Sequence, residues 1–359
     1  GHAGSMSLRK DMFKKPLPPG LGDSAPAVLT LPSASQDVSR YLPVEPIEYF
    51  DDVEMLQLEE GVEFRVYRGI AEPEEDREPV MFLLLHGAGC SARSWALVAK
   101  ALREKGCSSF AFDMRGHGGT VFEEEGADEE WSKETLCADI ARVVRRGMGE
   151  SLPEKIVVVG HSMGGALAAF FTNGPESTDD SETAQQWREI IAMVAGVVVI
   201  DVVEGTALEA LPAMIDIVNN RPASFPTVEK AVRWFTRSKS IHNLASAKVS
   251  VPGMLRPDGD KFTWRANLVH SEPHWEGWFK GLSKTFLACP VPKFLVLAGT
   301  DRLDTELTVA QMQGKYQLLL LPQAGHYIHE DSPERIANAL VMFRDRYVYP
   351  KTTIPLRRG

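Results

Sequence analysis

The chain has 359 residues, with 39 Lys+Arg against 49 Asp+Glu, for a formal net charge of −10. Its 44% hydrophobic and 25% charged content is that of a globular protein with length for one large domain or two ordinary ones. That charge argues against nucleic acid as the main partner, and the longest strictly apolar run, Ile190 to Ile200, is too short for a membrane-crossing helix.

Gly1 to Met6 reads as a cloning remnant, and no charged-then-apolar signal opens the chain. Ser7 to about Arg40 is rich in Pro, Ser and Gly without periodicity, so residues 1–45 are assigned to the remnant and an extension outside the packed structure. Strand-like runs follow at Val62–Tyr67, Val80–Leu85, Ser109–Phe112, Ile156–Val159, Val197–Ile200, Phe294–Leu297 and Leu318–Leu321. Between them lie predicted helices at Ser94–Arg103, Trp131–Met148 (Ser132 as its cap), Met163–Thr172 and Pro333–Arg346. The alternation predicts an α/β fold, a mostly parallel sheet flanked by helices, built from residues 46–205 and 285–350. Residues 206–284 break the rhythm. They hold four of the seven tryptophans and no convincing buried strand, and read as an inserted helical lid; residues 351–359 are a C-terminal tail.

Cys90, Cys107, Cys137 and Cys289 are widely spaced with no C-x-x-C pair, which points to reduced thiols in a cytoplasmic or nuclear protein. No dinucleotide fingerprint or P-loop lysine is present, so no nucleotide cofactor is implied. His326 and His329 lack a third ligand, so no metal is implied, and His329 reads as a loop or helix-entry residue.

Gly160-His161-Ser162-Met163-Gly164 lies between the Ile156–Val159 run and a small-residue helix. This is G-x-S-x-G in the strand–turn–helix context that projects a serine hydroxyl from a sheet edge. The serine needs a base, and the base an orienting acid. His326, near the C-terminal end after the last strand, holds the base position in the order Ser…acid…His. Two carboxylates compete as the acid: Asp201, one strand after the elbow, and Asp301, two strands after it. General topology favours Asp301, with Asp304 close by and the loser a turn or capping carboxylate. His86-Gly87-Ala88-Gly89 supplies the second half of an oxyanion hole, with the amides of Ala88 and Met163 as donors. Asp113-Met114-Arg115 reads as a loop stabiliser, and His86, His117 and His161 as structural hydrogen-bonders. His242, His270 and His274 are assigned to the lid surface. The chemistry is ester hydrolysis through an acyl-enzyme; a serine at the elbow disfavours dehalogenase and epoxide-hydrolase readings.

Several blocks carry a resemblance: Leu84-Leu85-His86-Gly87 with Ser94-Trp95, Asp113-Met114-Arg115, Gly160 to Gly165, Ile200 to Ala207, Trp275 to Ser283, Ala298 to Asp304, Gln311 to Lys315 and Pro322 to His326. From about residue 46 to 346 the chain resembles the protein phosphatase methylesterases. These are α/β-hydrolase-fold serine esterases that demethylate the C-terminal leucine of the type-2A phosphatase catalytic subunit. The resemblance implies a triad of Ser162, Asp201 and His326, overruling the topological preference for Asp301. It implies the phosphatase catalytic subunit and its scaffold complex as partners, and an active site completed when the phosphatase binds. Two departures stand out: a longer polar insertion at Gly174–Gln186, expected to be a solvated loop, and Ala88-Gly89-Cys90 in place of a more glycine-rich loop. A general carboxylesterase or lipase would share every catalytic residue, and a phosphatase-sequestering protein would need none of them.

Overall fold

The computed structural model describes residues 38–72, 79–149, 153–175, 179–299 and 303–349. The N-terminal extension before residue 38, Asp301 and the tail from residue 350 therefore lie outside the described residues.

The chain enters the sheet through the hairpin β1 (Asp52–Glu59) and β2 (Val62–Gly69), antiparallel and joined through Gly61 in the left-handed region. Then come β3 (Val80–Leu85), a 3-10 turn at Ala92–Trp95, α1 (Ala96–Arg103), β4 (Ser108–Phe112) and the two-residue β5 (Val121–Phe122). The central unit is α2 (Lys133–Gly147), β6 (Lys155–His161), α3 (Met163–Asn173), α4 (Glu182–Ile191) and β7 (Val194–Ile200). Next are α5 (Glu204–Asn220), β8 (Ser224–Phe225), α6 (Val228–Arg237), α7 (Leu244–Gly253), β9 (Leu255–Asp258), β10 (Lys261–Trp264), α8 (Glu272–Phe279) and α9 (Leu282–Ala288). The chain returns with β11 (Lys293–Leu297), α10 (Thr305–Met312), β12 (Gln317–Leu320), α11 (Ile328–Asp331) and α12 (Pro333–Phe343).

The main sheet runs β1-β2-β4-β3-β6-β7-β11-β12, parallel from β4 onward. Its central strands are apolar on both faces because helices cover both. Along β3, Leu83 and Leu85 join one buried cluster with α2 and α3, while Phe82 and Leu84 join the other with α1 and α12. This two-sided burial produces the unbroken apolar runs of the sequence. Ser132 caps α2 as predicted, accepting from the Thr135 amide. Asp304 caps α10 through the Leu307 amide at 2.9 Å.

Four expectations need correction. Residues 38–45, assigned to the extension, are packed: Val38–Tyr41 forms a 3-10 turn, Tyr41 packs against the Phe225 cluster, and the Val44 amide donates to the Lys248 carbonyl at 3.0 Å. Gly174–Gln186 is not wholly a loop: Ser181 accepts from the Ala184 amide at 3.2 Å and starts α4 at Glu182. The last helix stops at Phe343 and continues as a wider turn over Arg344–Val348. Residues 206–284, expected to be a helical lid, are mostly helical yet contain a three-stranded sheet, β8-β10-β9, whose β9–β10 hairpin turns at Gly259 with φ +63. These lid strands are two to four residues long and mainly exposed or half-buried, which leaves no apolar signature.

The lid has its own core, in which Phe225, Trp234, Phe235 and Trp264 meet edge-on or tilted. Cys90 and Tyr327 pack into this cluster too. They follow the His86–Gly89 loop and His326, so the lid rests on both. Trp275 and Trp278 belong instead to the larger core, where the Trp278 indole donates to the Trp131 carbonyl at 2.7 Å.

Candidate active site

Ser162 sits between β6 and α3 at φ 52 and ψ −120, a conformation costly for a residue with a side chain. The two motif glycines make it possible. A Cβ on Gly160 would fall 1.9 Å from the Gly164 carbonyl oxygen, and one on Gly164 would fall 2.3 Å from the Leu85 carbonyl oxygen. Neither position tolerates a larger residue without opening the elbow.

β7 ends at Ile200, and Asp201 turns out of it at φ 54. The Asp201 side chain is fully buried. Its Oδ2 accepts from His326 Nδ1 at 2.8 Å, and its Oδ1 accepts from the Ala298 amide at 3.3 Å. A carboxylate on Nδ1 places the imidazole proton there and leaves Nε2 as the basic nitrogen. The His326 side chain is half exposed, so it is oriented by hydrogen bonds more than by packing. His326 sits against the residue that precedes Ser162: the His161 ring lies 4.7 Å from the His326 ring and its Nε2 bonds the His326 carbonyl. Among the described residues, the Ser162 hydroxyl makes no hydrogen bond to His326. Loose nucleophile–base geometry is common in free hydrolases and tightens when substrate binds.

The His86–Gly89 loop lies directly beside Ser162: a Cβ on Gly87 would come 3.3 Å from Ser162 Cβ. The Ala88 and Met163 amides have no backbone hydrogen-bond acceptor among the described residues. Met163 opens α3, where the first N–H groups are unpaired and the helix dipole favours negative charge. Two buried neutral histidines brace the loop. His86 Nδ1–H donates to the Gly87 carbonyl at 2.8 Å while its Nε2 accepts from the Met114 amide at 2.9 Å. His117 Nδ1–H donates to the Arg115 carbonyl and its Nε2 accepts from the Gly89 amide at 3.0 Å. Burial brings His86 down to about 4 and His117 to about 3, so both remain neutral acceptors at working pH. Below them, buried Asp113 accepts from Tyr67 and from the amides of Ala92 and Gly119. Arg115 forks onto Asp139 at 2.5 and 2.8 Å. These contacts are the loop-stabilising role the sequence suggested for this block.

Of the other histidines, His270 is exposed beside Glu129, and His242 is partly exposed on Asp331. His329 does enter α11, but it is fully buried, between the Trp95 ring at 4.2 Å and the His161 ring at 4.5 Å. Among the described residues there is no cluster of metal-ligating side chains. Sequence reasoning also missed Glu330, which is entirely buried under α7 and accepts from the Ser246 hydroxyl at 2.8 Å. Its spacing from His326 carried no distinctive signal.

Burial raises Glu330 from the ordinary 4.5 to about 8. The folded protein therefore keeps a proton that the unfolded chain releases between pH 4.5 and 8, and stability falls as pH rises through that window. Glu330→Gln, which can still bond Ser246, should remove this slope. Calorimetric Tm values of variant and parent should nearly coincide at pH 4.5 and diverge in the variant's favour up to pH 8. A gap that stays constant with pH would refute a protonated Glu330.

The alpha/beta hydrolase family model matches residues 82–339. The human protein named protein phosphatase methylesterase 1 is 36% identical, aligned over 96% of this chain and 96% of its own. The probable protein phosphatase methylesterase 1 of Caenorhabditis elegans is 42% identical over 85% of this chain and 78% of its own. Among solved structures, an E-2-(acetamidomethylene)succinate hydrolase superposes with TM-score 0.62 at 19% identity, covering 82% of this chain and 99% of that one, a likeness of fold alone.

Proposed function

Because the chain belongs to the alpha/beta hydrolase family and, within it, to the protein phosphatase methylesterases, we propose that it removes the methyl ester from the C-terminal leucine of the type-2A phosphatase catalytic subunit. It is a serine esterase. The observation that carries the catalytic assignment is the buried Asp201 carboxylate on His326 Nδ1, together with a strained Ser162 and the Ala88 and Met163 amides, which have no backbone acceptor among the described residues.

In the proposed sequence, Ser162 Oγ attacks the ester carbonyl as His326 Nε2 takes its proton. The tetrahedral oxyanion is held by the Ala88 and Met163 N–H groups, and each such donor contributes about 100–1,000-fold in rate. Asp201 stabilises the imidazolium that forms. Methanol departs with the proton from His326, and a water activated by the same Nε2 hydrolyses the acyl-enzyme. The product is the free leucine carboxylate, a new negative charge on the phosphatase tail.

The Ser162 hydroxyl, without a hydrogen bond among the described residues, and the lid's rest on the residues after Gly89 and His326 support a site completed by its partner. Binding energy from the phosphatase and its scaffold complex would be spent on aligning the catalytic groups. The four buried, unbridged cysteines fit a reducing cytoplasm or nucleus as the place of action. Methyl release from the methyl-esterified catalytic subunit should be compared with release from the isolated tail peptide and with hydrolysis of p-nitrophenyl acetate. The intact phosphatase should show by far the highest kcat/KM. Equal efficiency on all three, or a preference for lipid esters, would overturn the substrate assignment.

A further inference from the structure

We infer that His161, the residue before the nucleophile, is a positioning residue that braces the general base against the oxyanion loop. This rests on the reading of His326 as base and Gly87–Ala88 as oxyanion loop, and adds a residue that the reaction scheme does not require.

The observations converge on one side chain. His161 ends β6 and is 1% exposed. Its Nε2 lies 2.9 Å from the His326 carbonyl oxygen. A carbonyl only accepts, so His161 Nε2 carries the proton and donates it. Burial above all, then the nearby His329 and His326 rings, hold His161 well below the usual histidine range, which keeps it neutral and in this tautomer. Its Nδ1 is buried without a hydrogen-bond partner among the described residues and faces the oxyanion loop: a Cβ on Gly87 would stand 3.0 Å from it. The His161 ring meets the His326 ring at 4.7 Å and the His329 ring at 4.5 Å, both tilted, and His329 in turn lies 4.2 Å from Trp95.

His161 thus touches both halves of the machinery around Ser162. Asp201 orients the His326 ring, but the ring is half exposed and packing holds it on one side only. The bond from His161 fixes the backbone from which that ring projects. Without it, the contact to Asp201 becomes a pivot and Nε2 swings relative to Ser162. A misplacement of about 1 Å at a reacting centre costs about 100-fold in rate, so a brace of this kind has a measurable effect.

The test compares His161→Phe, which keeps an aromatic ring and loses the donor, with His161→Gln, whose side-chain amide reaches where Nε2 lies. The near-isosteric His161→Met and His161→Gln pair repeats the comparison without the ring, should the Phe variant fold poorly. The readouts are kcat and KM for methyl release from the methyl-esterified phosphatase subunit, the rate of Ser162 labelling by a fluorophosphonate, and Tm. The Phe and Met variants should lose roughly 10–100-fold in kcat and in labelling rate with KM little changed, and Gln should recover most of it. A Phe variant with parental kcat, a Gln variant as impaired as Met, or a loss confined to KM would overturn the inference. Labelling separates the two readings: a parent protein that labels at Ser162 but releases no methyl fails the proposed substrate, and the variant series still decides the brace.

Discussion

Ser162→Ala should abolish methyl release while leaving the fold and phosphatase binding intact. In other serine hydrolases, loss of the nucleophile alone costs roughly 10⁶-fold in kcat, because base, acid and oxyanion hole act through it. Residual activity should come only from substrate binding and the unpaired amides of Ala88 and Met163. The Ser162 hydroxyl makes no hydrogen bond among the described residues, so its removal strands no buried partner. Alanine inherits the same backbone at φ 52, so Tm should shift little. Rates of methyl release and co-purification with the methyl-esterified subunit should therefore separate completely. Turnover within ten-fold of parent would eliminate Ser162 as nucleophile. A variant that loses binding and turnover together would show that the hydroxyl helps hold the partner. The same protein also isolates any sequestering role, which needs the surface and not the alkoxide.

The readable parts of this molecule are those where burial acts on both sides of an element. Leu83 to Leu85 and Val157 to Val159 are apolar without interruption because helices cover both faces, and the elbow declares itself through glycines that no other residue can replace. The acid was harder. Strand order favoured Asp301, yet strand order does not say where a side chain points. Asp201 leaves β7 at φ 54, and its buried carboxylate meets His326, while Asp301 lies outside the described residues. The resemblance across Ile200 to Ala207 points to Asp201 on grounds that periodicity cannot supply. The lid sheet stayed hidden because β8 to β10 bury little, although Gly259-Asp260 is a two-residue hairpin signal. His329 and Glu330 look like polar residues at a helix entry. Their burial depends on Trp95 and α7, segments distant in the chain, and no local pattern encodes that contact.

Asp201→Asn should lower kcat by about 10⁴-fold with KM nearly unchanged, through a change of tautomer rather than of shape. The parent carboxylate can only accept, so it keeps the imidazole proton on Nδ1 and presents Nε2 as a base. An asparagine that turns its amide nitrogen toward His326 donates to Nδ1 instead, which moves the proton to Nε2, where it blocks abstraction from Ser162. The Asn oxygen can still accept from the Ala298 amide, so the loop after β11 keeps its anchor and Tm should move little. The rate loss corresponds to about 5 kcal/mol of transition-state stabilisation, far above what one neutral hydrogen bond contributes to folding. Activity and stability must therefore diverge in this variant if Asp201 serves the base. Asp301→Asn, assayed beside it, should stay within a few-fold of parent. The reverse pattern, with Asp201→Asn near normal and Asp301→Asn inactive, would return the acid to the position that strand order favours and leave the 2.8 Å contact to His326 without a catalytic role.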